Sequence, residues 1–266
     1  MLMRNTILAA AYAARSAVAA LVWALIPTVL HGGIISHGDF TAPSVSFLDV
    51  EETTPGETAT LVGLPAVAGN SLLFLPPNTL QVVAIGGEQD HLDLFIEFSL
   101  SASPGSRLTG INLSETGTFL YSGNILGSTT AIEATASVVV TIEEIDGVSN
   151  TSIPASDPIS QTTSPTVLAT PAFGGLWTLD LFFDIQDQLD ASMVSYAFGV
   201  TRVSVQVNLG FDASAHVGNS ILIGLSMLRL EAFAEDAPPP VPEPTTFVLT
   251  GLALAMLGAS RTFRHR

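Results

Sequence analysis

The 266-residue chain has no cysteine, which excludes disulfide bonds and thiolate metal sites. It has no lysine either, and all eight basic residues are arginines. Arg4 and Arg15 stand near the start and Arg261, Arg264 and Arg266 at the end, leaving Arg107, Arg202 and Arg229 for everything between. Nearly all of the 24 acidic residues lie in that middle region, so it is far more acidic than the whole-chain charge of −16 suggests. Such a surface repels polyanions and excludes nucleic acid as a partner. Aromatic residues are few, and of the two Trp and three Tyr, Trp23 and Tyr12 fall in the N-terminal stretch. Catalytic signatures are missing as well. There is no G-x-S-x-G elbow, no H-E-x-x-H and no P-loop, and the middle region holds only His37, His91 and His216. A glycosidase needs two paired carboxylates, and no pair stands out, so the chain is expected not to be an enzyme.

What is present is a period of two. From Ile132 to Ile142 the even positions are Ile, Ala, Ala, Val, Val and Ile, with Glu133, Thr135, Ser137, Val139 and Thr141 between them. This is the pattern of a strand with one face in a core and one in water. It recurs from Leu92 to Leu100, from Trp177 to Ile185 and from Val203 to Leu209, and Ile221 to Ala232 reads as a last, more buried strand. Turn formers separate the runs, Asp146-Gly147 being the best hairpin signal. Helical periodicity is nearly absent between the two ends. The expected fold is therefore all-β, an antiparallel β-sandwich of jelly-roll type. Ser149 to Pro171, rich in Ser, Thr and Pro, reads as a long surface loop or an irregular edge strand. Trp177 alternates with core positions and is expected to be buried.

The two ends are different. Arg4 and Arg15 precede an apolar stretch from Ala17 to Leu30, which reads as an export signal cleaved between about Ala24 and His37. At the other end, Ala237-Pro238-Pro239-Pro240 leads into Val241-Pro242-Glu243-Pro244, then an apolar run from Phe247 to Ala259, then Arg261, Arg264, His265 and Arg266. A proline run extends and holds the next segment away from the domain. The basic end favours cytoplasmic retention of that terminus.

This tail resembles the PEP-CTERM sorting signal of exported bacterial proteins. The resemblance implies that a membrane-embedded exosortase recognises Pro242-Glu243-Pro244 and cuts near Pro244, releasing or attaching the domain, and that this domain associates with exopolysaccharide. On this reading the chain divides into a signal peptide (1–33), a β-sandwich domain (34–235), a proline-rich linker with the motif (236–244) and a C-terminal transmembrane helix with its basic tail (245–266). It would be exported as a membrane-anchored precursor and end at the cell surface or outside the cell. The segment from Phe47 to Gly117, with its I-x-L-x-E-x-G strand at Ile111 to Gly117, also looks like the start of other exported domains carrying such a tail.

Carboxylate clusters are the remaining feature. Glu88, Asp90 and Asp93 flank His91 beside Gly86-Gly87, and Asp184, Asp187 and Asp190 follow the Trp177 strand. Ca²⁺ takes six to eight oxygens, and Glu88, Asp90 and Asp93 are the candidate ligands, although neither cluster has the spacing of an EF-hand or a calcium repeat. No other cofactor is expected. The sequence thus leads first to a structural protein of the cell surface or extracellular matrix. The alternative is a carbohydrate- or Ca-binding adhesin, and a secreted hydrolase comes third. A cluster of exposed aromatic rings would favour the adhesin.

Overall fold

A computed structural model describes residues 33–54, 60–77, 80–123, 130–150, 153–156, 159–163 and 172–236. Their strands are β1 (Gly33–Thr41), β2 (Val45–Thr54), β3 (Ala66–Ala68), β4 (Ser71–Phe74), β5 (Gln81–Ile85), β6 (Gln89–Ala102), β7 (Ser106–Gly123), β8 (Ala131–Ile145), β9 (Val148–Ser149), β10 (Ile159–Thr163), β11 (Ala172–Asp184), β12 (Val200–Ser214) and β13 (Asn219–Asp236). One helix, α1 (Ile185–Ala191), follows β11.

The strands form two antiparallel sheets. The larger runs β1-β2-β6-β12-β8-β10 with β9 hairpinned onto β8, and the smaller runs β11-β7-β13-β4-β3 with β5 also on β13. The alternation read from the sequence sets which side of each strand is buried. Ile132, Ala134, Ala136, Val138, Val140 and Ile142 all turn inward, as do Trp177, Leu179, Leu181 and Phe183. The two inner faces share one hydrophobic core, crossed by a Trp177–Phe211 ring contact at 5.9 Å. Asp146 and Gly147 both have positive φ, the conformation a two-residue hairpin requires. The Asp146 carboxylate also accepts backbone N–H bonds from Ala197, Phe198 and Gly199 at 2.7–2.8 Å. Burial alone would push its carboxyl up, and these three donors outweigh that and hold it below the usual range.

At the edge of the larger sheet the Glu52 carboxylate is sealed from solvent and surrounded by donors. His37 Nε2 lies 3.1 Å away, Thr60 Oγ1 donates at 2.5 Å and the Leu61 N–H at 2.6 Å. These bonds tie β1, β2 and the segment after β2 together.

The expectation of a jelly-roll-like sandwich flanked by a signal helix and a C-terminal transmembrane helix is corrected. The larger sheet curls into a half-barrel, as right-handed twist accumulates along strands of 14 and 15 residues and register shifts interrupt the β1–β2 and β12–β8 ladders. No helix among the described residues is long and apolar enough to cross a membrane. The run from Phe247 to Ala259 is itself well short of the roughly 20 residues a spanning helix needs. The segment expected to form that helix, 245–266, lies outside the described residues, and the described ones give the membrane-anchored precursor no support. The signal segment, the motif Val241 to Pro244 and the basic residues Arg261, Arg264 and Arg266 lie outside the described residues. Ser149 to Pro171 also differs from a plain loop, because β10 within it pairs with β8 and forms an edge of the larger sheet. The helix α1 was not legible: it has seven residues and only Ile185 and Leu189 to mark its buried side.

Candidate functional site

Among the described residues, a cleft opens on the outer face of each sheet. The first, of about 380 Å³, lies at one end of the larger sheet among Gln89, His91, Glu133, Asp212 and Ser214. Register places it, since His91, Asp212 and Glu133 are neighbours across β6, β12 and β8. His91 Nε2 meets Asp93 Oδ2 at 2.9 Å and its Nδ1 meets Asp212 Oδ1 at 2.8 Å. The hydrogen bond to Asp93, aided by Asp212, holds the imidazole above its ordinary pKa against a smaller opposing effect of burial. Both ring nitrogens are thereby engaged within the protein, and the cleft otherwise offers mainly carboxylate oxygens.

Of the expected calcium ligands Glu88, Asp90 and Asp93, the last two point apart. Asp93 bonds His91 on the outer face, whereas Asp90, three residues earlier on the same strand, accepts the Val83 N–H of the other sheet at 3.1 Å. Strand alternation turns positions three apart to opposite sides. Among the described residues no three His, Asp or Glu side chains group as a metal site. Asp184, Asp187 and Asp190 sit on α1: Asp184 is its N-cap and accepts the Asp187 N–H at 3.0 Å. His216 Nδ1 lies 3.1 Å from the Val217 carbonyl in its own turn, and its backbone N–H donates to Thr130 Oγ1 at 3.1 Å.

The second cleft, of about 350 Å³, opens on the outer face of the smaller sheet among Arg107, Phe182, Asp184, Gln186, Phe233 and Glu235. Phe182 (53 % exposed) and Phe233 (40 % exposed) are large apolar side chains left in water. Their rings meet edge to face at 5.7 Å. Phe182 comes from β11 and Phe233 from β13, and Gly110 of β7 lies between the two strands. A Cβ at Gly110 would come within 2.6 Å of the Phe182 ring, so the missing side chain is what lets the ring lie across the strand. Arg107 forms one wall, donating to the Phe198 carbonyl at 3.3 Å and pairing with Glu235 at 3.0 Å. Gln186 forms another, fixed by bonds to Asp190 at 3.0 Å and to the Tyr196 hydroxyl at 2.5 Å. Tyr196 in turn donates to Asp190, which raises its pKa. The result is an apolar floor of two crossed rings with planar polar groups at its rim.

Sequence reasoning missed this cleft. The signal was there in parity. Phe182 stands between the inward Leu181 and Phe183, and Phe233 follows the inward Leu230 and Ala232, so both had to face outward.

No protein-family model matches the chain, and no curated protein matches it. Among solved structures, the chain aligns with TmCBM61 in complex with beta-1,4-galactotriose at 7% identity and a TM-score of 0.21, covering 69% of this chain and 82% of that one. It aligns with a non-crystalline-cellulose-specific carbohydrate-binding module, CBM28, at 11% identity and a TM-score of 0.21, covering 63% and 79%. An infectious bursal disease virus structure (Gt strain) aligns at 12% identity and a TM-score of 0.23, covering 80% and 59%. Likenesses this slight decide nothing about what this chain does.

Proposed function

We propose that the protein is a non-enzymatic carbohydrate-binding protein and that the cleft at Phe182 and Phe233 is where it takes its ligand. One observation carries this reading: two touching aromatic rings left exposed on a sheet and rimmed by Arg107, Asp184, Gln186 and Glu235. A sugar ring has an apolar C–H face that suits an aromatic floor, and hydroxyls that pair with planar carboxylate, amide and guanidinium groups. The cleft has both. Its carboxylates are already engaged, Asp184 with the helix cap and Glu235 with Arg107, which leaves no isolated carboxyl as a general acid and supports binding without hydrolysis. The acidic balance of the chain favours neutral glycans over uronic acid polymers.

The test is a panel of neutral and acidic oligosaccharides against the purified chain, followed by calorimetry on any that bind. The expected result is binding of a neutral glycan at micromolar levels, weakened about tenfold or more in Phe182→Ala, the loss of roughly 1.4 kcal/mol of stacking and burial. Absence of binding at millimolar sugar, or equal affinity in Phe182→Ala and Phe233→Ala, overturns the reading and leaves a purely structural role.

A further inference from the structure

The I-x-L-x-E-x-G strand places a carboxyl where the alternation demands an apolar residue. Ile111, Leu113, Glu115, Phe119 and Tyr121 of β7 are all buried. Glu115 is fully enclosed, and neither of its carboxyl oxygens has a hydrogen-bond partner. Its cross-strand neighbours are Leu179 on β11 and Leu228 on β13. One step along the ladder, Trp177 is opposite Gly117, and its buried indole N–H also lacks a partner. The close fit there is set by glycine, since a Cβ at Gly117 would lie 2.1 Å from the Gly224 carbonyl and 2.4 Å from the indole ring.

No charge offsets the carboxyl. The buried side chains of β11 and α1 are Trp177, Leu179, Leu181, Phe183, Ile185 and Leu189, those of β13 on either side of Leu228 are Ile223, Leu225, Leu230 and Ala232, with the buried polar Asn219 at the strand's far end, and those of the opposing β6, β8 and β12 are equally apolar. The other ionisable group turned inward on β7 is Tyr121, six residues away. Asp180 and Arg229 stand opposite Ser114, and Glu231 opposite Asn112, on the other face of the same sheet.

We propose that Glu115 is a protonation-gated lock between the two sheets: the core closes on the neutral acid, and loss of its proton drives the sheets apart until water reaches the carboxylate. A lone ionised carboxylate is among the costliest groups to hold in a dry interior. Burial alone pushes the Glu115 carboxyl up to about 8. The folded state therefore keeps a proton that the unfolded chain releases near its ordinary value of 4.5. Stability is fully present below that value, falls as pH rises through the interval, and has lost this contribution above about 8. Loosening on the alkaline side is the reverse of ordinary acid denaturation.

The lock does not depend on what the cleft binds. Denaturant unfolding of the full chain between pH 5 and pH 9, with hydrogen exchange of β7 and β11 amides, tests it. The folded-to-unfolded ratio should fall about tenfold per pH unit up to about pH 8 and then level off. Glu115→Gln should remove most of that slope. Glu115→Leu, which fills the site with an apolar group, serves the same comparison if the amide variant does not fold. The wild type should also keep the infrared band of a protonated carboxyl at pH 7 that Glu115→Gln lacks. An unchanged slope in a folded variant, or no such band, overturns the proposal.

Discussion

Glu52 and Glu115 are both sealed from solvent, one near the edge of the larger sheet and one in the middle of the core. Glu52 is met by an imidazole, a hydroxyl and a backbone N–H within 3.1 Å, so its burial organises the chain around it. Glu115 is met by leucines and has no donor at all. Burial is the same in both cases, and the number of donors separates a fastening from a point of tension. The contrast also explains why the two regions respond to opposite changes. Taking the carboxylate from the first strands its donors, whereas taking it from the second removes a cost.

The largest effect should come from breaking the first region. Glu52→Ala leaves His37, Thr60 and the Leu61 N–H facing an empty acceptor site, and it should lower stability by about 4 kcal/mol in denaturant melts. The second region should move the other way. Between pH 5 and pH 7.5 the wild type should lose about 3 kcal/mol that Glu115→Leu does not. A melt of both proteins at the two pH values checks the sign, and equal losses would erase the distinction between the carboxyls. Gly117→Ala sharpens the same comparison, because it crowds the indole beside Glu115 without touching its charge. We expect a loss of about 2 kcal/mol at every pH. Phe182→Ala should leave the melting temperature nearly unchanged, since the ring is half exposed, while weakening glycan affinity about tenfold. Smallest is His91, a third, exposed case in which donor and acceptors are matched in water. Its raised pKa adds stability below about 6.5 that is lost as pH rises through the shifted value. An NMR titration should place its midpoint above that of a free imidazole, and Asp93→Asn should lower it more than Asp212→Asn.

Strand parity made most of the architecture legible. Alternation alone puts Ile132 to Ile142, Trp177 and Val203 to Leu209 on the inside, and the Asp146-Gly147 hairpin follows from its residue types. The same rule applied to Ile111-Asn112-Leu113-Ser114-Glu115 points Glu115 inward, and applied to Leu181-Phe182-Phe183 it points Phe182 outward. What parity cannot supply is which strands become neighbours. Phe233 lies 51 residues beyond Phe182, and the pair exists only because β11 and β13 flank β7 at Gly110. The acidic cluster shows the same limit. Glu88, Asp90 and Asp93 are close in sequence, but an extended backbone sends Asp90 and Asp93 to opposite sides. The curl of the larger sheet is a sum of small twists, and no single residue announces it.

Strand β13 pairs with β7, β4 and β5, and it is the last of the described strands. That has a consequence for how the molecule comes into being. As the chain leaves the ribosome, β4, β5 and β7 emerge without the neighbour that joins them, and they must wait until β13 has followed before the smaller sheet can close. Until then Leu72, Phe74, Val82 and Leu113, which end in the core, have no complete sheet to shelter in. Folding should be slow, as expected where pairing is non-local, and a chain cut short before β13 should aggregate rather than form half of the structure.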